Sequence, residues 1–310
     1  MAELIPDSID FAAYMQQTDA KVKVKPASVF ADDLVGIFAD AEATHTPHMF
    51  STKLGRSLEF RPGEVTVWAG YNGHRKSMLV GQVALDLCVQ KQRVLSASFE
   101  MAPARTLARM ARQAFGVAKP SKTQLHRFSD WTDGRLWIFD HLGRIGVDQT
   151  LAVCRYFAEE LHGQHVLIDS MMMVCNSEES LDEQKQFTTD IVRLAQETGM
   201  HVHLVAHCRK PASGAEEKPP TKYDLRGSAA ISDQAHNVVT VWANKAKRAK
   251  LDRDPHDMVA ANEPDAAVTI EKQRNGAHEG RFALWWDASS MRFVDDRTNA
   301  VEPYVLGESA

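Results

Sequence analysis

The sequence predicts an α/β fold: a mainly parallel sheet with helices on both faces and antiparallel strands added at its C-terminal edge. Three observations carry that prediction. From residue 64 to residue 206, short apolar runs alternate with stretches of helical periodicity, the pattern of strands buried between two layers of helix. Beyond Asn237 the helical stretches give way to consecutive strand-like runs. The first run also leads straight into a glycine-bearing turn that ends in Lys-Ser before a helix. That is the physical setting of a phosphate cradle.

Taken in order, residues 1–54 read as an N-terminal arm. They are polar to about residue 28 and end there in the alternating run Lys21-Val22-Lys23-Val24-Lys25-Pro26. Over 29–42, Phe30, Leu34, Ile37, Phe38 and Ala41 fall at helical spacing, with Asp32, Asp33 and Asp40 on the other side. This predicts an amphipathic linker helix that packs either on its own domain or on a neighbouring subunit. A core domain is expected over 55–296 and a tail over 297–310. Within the core, strands are expected at 64–69, 93–99, 136–139, 165–169 and 201–206, with helices at 77–90, 104–115, 148–161 and 181–198. The later runs, 238–242, 268–272, 281–286 and 291–294, read as antiparallel additions to one edge. The polar stretch 245–265 between the first two of these reads as a mobile loop.

Composition narrows the class. At 310 residues with 44% hydrophobic and 25% charged residues, one large globular domain is the simplest division. No apolar run approaches the ~20 residues of a membrane helix, and Met1-Ala2-Glu3 does not open a signal peptide. Cys88, Cys154, Cys175 and Cys208 form no CxxC pair. Their spacing argues against a zinc site or disulfide framework and for a reducing, cytoplasmic setting. The net charge of −5 speaks against wrapping nucleic acid on an outer face. It speaks less against a ring with a strand in its hole, where a few loop cations suffice.

The chemistry-bearing residues follow the strands. In Gly70-Tyr71-Asn72-Gly73-His74-Arg75-Lys76-Ser77, backbone amides and the helix start meet phosphates, Lys76 reaches the terminal ones and Ser77 holds Mg²⁺. Arg75 stands where this pattern usually has glycine. Glu100, in Ser98-Phe99-Glu100-Met101, is placed to polarise an attacking water, or is a surface acid. Asp169 ends the buried run His165-Val166-Leu167-Ile168-Asp169, which suits it to Mg²⁺ ligation, while Met171, Met172 and Met173 read as core. His207, at the end of its strand, either senses a γ-phosphate or is structural. Arg209, Lys210, Lys222 and Arg226 scatter through a loop that ends at Gly227 and Ser228, a candidate DNA surface or simply a solvated loop. Lys272 and Arg274 stand at a surface turn, where a hairpin inserts cations into a neighbour's active site.

Together these segments resemble the helicase domain of the DnaB family of replicative helicases, including the phage primase-helicases and Twinkle. The likeness runs from about Gly55 to Val294, with the motifs in the family's order. Ser98-Phe99-Glu100-Met101 is similar to the motif whose glutamate is the catalytic base. Leu225-Arg226-Gly227-Ser228-Ala229-Ala230-Ile231 resembles the DNA-contacting segment, and Lys272-Gln273-Arg274-Asn275-Gly276 resembles the motif that supplies a lysine and an arginine finger to the adjacent subunit. Ala206-His207-Cys208-Arg209 looks like the phage form of the γ-phosphate sensor. The resemblance implies a RecA-like P-loop ATPase core, ATP and Mg²⁺ as cofactors, and a homo-hexameric ring. It also implies 5′→3′ translocation on single-stranded DNA, a primase or polymerase partner, and replication of a phage or plasmid-type replicon, in the host cytoplasm if phage-encoded. The chain departs from the family at Arg75, at residues 1–54 and at the 245–265 insertion. Two other readings fit the same residues: a recombinase-type ATPase that remodels a partner without unwinding, and a weakened ring that acts as an ATP-regulated DNA binder or loader.

Overall fold

The structure, a computed structural model, describes residues 26–32, 35, 46–50, 52–55, 57–175, 180–209, 215–298 and 301–304. The chain divides into two units, Met1–Thr46 and Pro47–Ala310. In the first, a 3-10 turn Ala27–Phe30 leads into residues 31, 32 and 35, which are helical. The rest of the expected linker helix lies outside the described residues.

The second unit is built on a nine-stranded sheet in the order β3-β2-β4-β5-β1-β6-β7-β8-β9. β1 (Val65–Gly70), β2 (Val94–Ser98), β3 (Leu136–Ile138), β4 (His165–Asp169) and β5 (His201–His207) are parallel, as expected. β6 (Asn237–Ala243) corrects the expectation. It pairs parallel to β1, with Thr66 opposite Asn237, so antiparallel pairing begins only with β7 (Ala266–Gln273), β8 (Gly280–Asp287) and β9 (Arg292–Val294). A parallel neighbour needs a crossover of a dozen or more residues. The chain between β5 and β6 supplies it, although its described helices are short: two 3-10 turns and the single α-helix Ala230–Gln234.

Alternation along each strand splits the core into two layers. Trp68, Leu167 and Val205 face helices α1 (Lys76–Val89) and α2 (Pro103–Phe115) and the buried Leu54, Leu58 and Phe60. Val65, Val67, Val166 and Ile168 face α4 (Val147–Glu160) and α5 (Leu181–Thr198), through Phe157, Phe187 and Ile191. α3 (Lys122–Thr132), between α2 and α4, is held by a capping box in which Ser121 and Gln124 satisfy each other's backbone amides. Tyr304 returns to this core: its backbone amide donates to Ala114 O (2.7 Å) and its ring lies under the Arg292 guanidinium at 4.0 Å.

The 245–265 stretch is not a loop. It forms α6 (Lys245–Arg253) and α7 (Met258–Asn262), capped by the side chains of Asn244 and Asp257. Lys247 is buried beneath α6, paired with Asp265 at 2.7 Å and donating to Glu263 O at 2.7 Å. All four cysteines are buried and unpaired, and burial pushes each thiol up to about 12. Among the described residues no helix is long and apolar enough to cross a membrane.

One buried cluster bears on stability. His165, His201 and His203 pack edge-on around Phe60. Their hydrogen bonds form a consistent chain of neutral rings. His201 donates from Nδ1 to Arg61 O (2.7 Å) and lies 2.9 Å from the Thr66 hydroxyl through Nε2. His203 accepts from Trp68 Nε1 (3.3 Å) at Nδ1, so its Nε2 proton faces His165 Nδ1 at 3.3 Å. Burial lowers His201 to about 4 and holds the other two well below the usual imidazole range. Because the folded values lie below the unfolded one, the unfolded chain takes up the protons. Stability is full above pH ~6.5 and falls below it, by about 1.4 kcal/mol per pH unit for each ring. Asp86, raised to about 7 by burial, and Asp169, also raised by burial, oppose this, while the buried His74, lowered to about 4, adds to it. We expect the melting temperature to drop between pH 6.5 and 5 while the three imidazole NMR resonances stay fixed; resonances that titrate in that interval would show a wet, protonatable cluster.

Candidate nucleotide site

The C-terminal ends of β1, β2, β4 and β5 converge. β1 ends at Gly70, where a Cβ would press into Val241 O of β6, so only glycine lets the chain turn here. Asn72 and Gly73 are exposed at the tip, with Gly73 at φ +76°. Lys76 opens α1, and its ammonium donates to Gly70 O (2.9 Å) and Tyr71 O (3.0 Å). It also lies 3.2 Å from His207 Nδ1 at the end of β5. Burial, then the charge of Lys76, lowers the His207 imidazole. The ring is therefore neutral at pH 7, accepts at Nδ1 and carries its proton on Nε2, the form that donates to a phosphate oxygen.

Ser77 follows Lys76 and lines a small cavity together with Asp169 at the end of β4. Burial pushes the Asp169 carboxyl up, with the nearby Ser77 hydroxyl opposing. A strand-end carboxylate beside a lysine and a serine that open a helix fits a magnesium nucleotide, because Mg²⁺ takes few protein ligands and completes its shell with phosphate and water. Among the described residues no three His, Cys, Asp or Glu side chains cluster so as to hold a metal ion by themselves. Glu100 is exposed just past β2, which pairs with β4 so that Ser98 lies opposite Asp169. Its Oε1 accepts from the buried Ser170 hydroxyl at 3.1 Å. Ser170 escapes sequence reasoning, since nothing but its position after Asp169 marks it.

Two turn residues behave differently from expectation. The His74 imidazole, lowered to about 4 chiefly by burial, is turned toward β6 and accepts from Ala243 N at 3.0 Å. Its Nε2 faces the Glu216 carboxylate at 3.6 Å, and its backbone amide donates to Tyr71 O at 3.4 Å. Arg75 takes the left-handed conformation that a glycine would adopt freely, φ 64° and ψ 24°. Its guanidinium does not turn to solvent; it stacks on Trp286 of β8 at 4.3 Å. The strain costs roughly 1–2 kcal/mol and the stack returns about 0.5–2 kcal/mol. Arg75→Gly is therefore expected to change ATP affinity by no more than a few fold in titration calorimetry. A tenfold loss would make Arg75 a phosphate ligand.

The remaining residues fall in two groups. Arg209 and Arg226 are exposed on two limbs joined at Cys208 and Leu225, with Arg226 N bonded to His207 O (2.8 Å). Lys222 leans back on β7, donating weakly to Glu271 O (3.4 Å). Gly227, at φ +105°, makes room for Gln184, whose Oε1 accepts from Ser228 N at 3.0 Å. Lys210 lies outside the described residues. Lys272 and Arg274 stand at the opposite end of the sheet: Lys272 donates to Ser232 O (2.9 Å) and Asp233 O (2.8 Å), and Arg274 to Asp233 O (3.2 Å). The structure brings Lys76, Ser77, Glu100, Asp169 and His207 together and leaves Lys272 and Arg274 out.

Comparison with known proteins agrees with this layout. A solved structure described as an ATPase domain superposes with a TM-score of 0.71 at 16% identity, covering 86% of this chain and 99% of that one. A DnaB-like replicative helicase, described with its interactions with primase, gives 0.69 at 17% identity, covering 91% of this chain and 75% of that one. At these identities the likeness is one of fold, the RecA-like core. The family assignment rests on the sequence match of residues 53–295 to the DnaB-like helicase C terminal domain. The chain belongs to that family.

Proposed function

We propose that this protein is an ATP-driven motor that moves 5′→3′ along single-stranded DNA as a hexameric ring and separates strands in phage or plasmid-type replication. One observation carries the reading. Lys76, Ser77, Glu100, Asp169 and His207 sit together at one end of the sheet, while Lys272 and Arg274 sit at the other. Lys76 and the turn amides hold phosphates, Ser77 and Asp169 hold Mg²⁺, Glu100 orients and deprotonates water, and His207 donates to the departing phosphoryl oxygens. ATP supplies the phosphoryl group and Mg²⁺ the charge neutralisation. Arg209, Lys210, Lys222 and Arg226 with Gly227 and Ser228 form the DNA surface, rooted at His207 by the Arg226 amide bond. Primase, with which one structural relative is described as interacting, is the partner this reading favours, in the cytoplasm of a cell or host.

ATP turnover with and without single-stranded DNA, strand displacement on a forked duplex, and a mass measurement with nucleotide test it together. The expected result is DNA-stimulated hydrolysis, displacement and a multimer near six chains. Stimulated turnover with no displacement would replace the motor by a remodelling or loader ATPase.

A further inference from the structure

Just before the Leu225–Ile231 segment, the 3-10 turn Lys222–Asp224 holds one aromatic ring out of the protein. Tyr223 is 84% exposed, more than any other large apolar side chain on the described surface. Its turn is stiff. Thr221 donates to the Asp224 carboxylate from both its amide (2.7 Å) and its hydroxyl (2.9 Å). Arg209 N donates to Asp224 O at 2.8 Å, and Lys222 N to Glu271 Oε2 at 3.3 Å. The carboxylates of Asp224 and Glu271 are thus engaged in holding the turn. One cation lies against the ring, the Lys222 ammonium 5.6 Å from its centre, and Arg209 and Arg226 are exposed on the adjoining limbs.

A planar ring on a rigid turn, open to water with one cation against it and two more on the adjoining limbs, matches what single-stranded nucleic acid binds. Bases stack on an aromatic face whatever their identity, and the cations follow the backbone. We propose that Tyr223 is a stacking platform for a base of single-stranded DNA, with Arg209, Lys222 and Arg226 meeting the flanking phosphates. The proposal rests on the DNA-motor reading and adds to it a contact with the base itself.

The test compares full-length protein and its Tyr223→Ala and Tyr223→Trp variants by fluorescence anisotropy at one fixed salt concentration. The probes are a labelled deoxythymidine oligomer and an abasic oligomer of the same length and charge. Tyr223→Ala is expected to weaken the deoxythymidine oligomer about 5- to 150-fold, the effect of losing one stacked base. Binding of the abasic oligomer should not change, and Tyr223→Trp should restore or exceed wild-type affinity. Equal loss on both oligomers would make the ring a structural support and overturn the proposal. Loss on neither would also overturn it, while leaving the DNA reading intact. A wild-type protein that binds neither oligomer would remove both readings. A fall in assembly mass for Tyr223→Ala, with the ratio between oligomers unchanged, would assign the ring to a neighbouring subunit and overturn it too.

Discussion

Glu100→Gln is expected to leave ATP binding nearly intact and to lower turnover by a factor of about 10²–10⁴, the contribution of a positioned general base. The substitution keeps the shape of the side chain and an oxygen to accept from the Ser170 hydroxyl, which lies 3.1 Å from the carboxylate. What is removed is the capacity to take a proton from water. The position supports that role. Glu100 is exposed just past the end of β2, and Phe99 N bonds Asp169 O at 3.0 Å, so the two carboxyl groups are held on adjacent strand ends. Single-turnover hydrolysis together with equilibrium ATP binding separates the two effects. Turnover within about tenfold of wild type, roughly 1.4 kcal/mol, would mean that another group activates the water.

The second large effect belongs to Arg274. Arg274→Ala should bind ATP and lose about 10³-fold or more in hydrolysis, the scale of an arginine finger. In mixed assemblies it should restore hydrolysis to Lys76→Ala subunits at some interfaces, because each active site then draws the lysine from one chain and the finger from the next. The strand register gives the reason. Arg274 N bonds His236 O, and His236 N bonds Val65 O, so the finger is level with the start of β1. Gly70, where the phosphate turn begins, lies five residues further on, roughly 16 Å at ~3.3 Å per residue. An arginine anchored on Asp233 O does not serve its own phosphates across that distance. Full DNA-stimulated activity in a strictly monomeric preparation would refute the shared site.

The parallel strands were legible because burial on both faces keeps them rich in apolar residues, even with serines in β2 and histidines in β5, and α5 (Leu181–Thr198) because its apolar spacing persists from end to end. The direction of β6 was not. Direction is set by the crossover before it, and the described residues of 208–236 form no long amphipathic helix to announce one. Three helices did carry readable signals: Ser121 with Gln124 ahead of α3, and Asn244 and Asp257 ahead of α6 and α7. High charge masked α6, and α7 is only five residues long. The buried Lys247 becomes tolerable only through Asp265, a partner visible in space and not in periodicity. In the site, the phosphate turn and Asp169 were legible because strand, turn and helix are contiguous. The left-handed backbone at Arg75 could be anticipated from the usual glycine. The Trp286 stack and the Ser170–Glu100 bond join residues 211 and 70 positions apart, and no local pattern encodes them.

β6 lies hydrogen-bonded between β1, which ends in the phosphate turn, and β7, which ends in the finger. In a ring with shared sites, those two ends face different ATP molecules. A hydrogen-bonded sheet bends little, so a tilt that seats the phosphate turn on its own nucleotide must swing the finger relative to the next. The central strands then act as a stiff beam between consecutive catalytic centres. Timing around the ring would be carried by the tilt of whole subunits, with no separate relay of side chains.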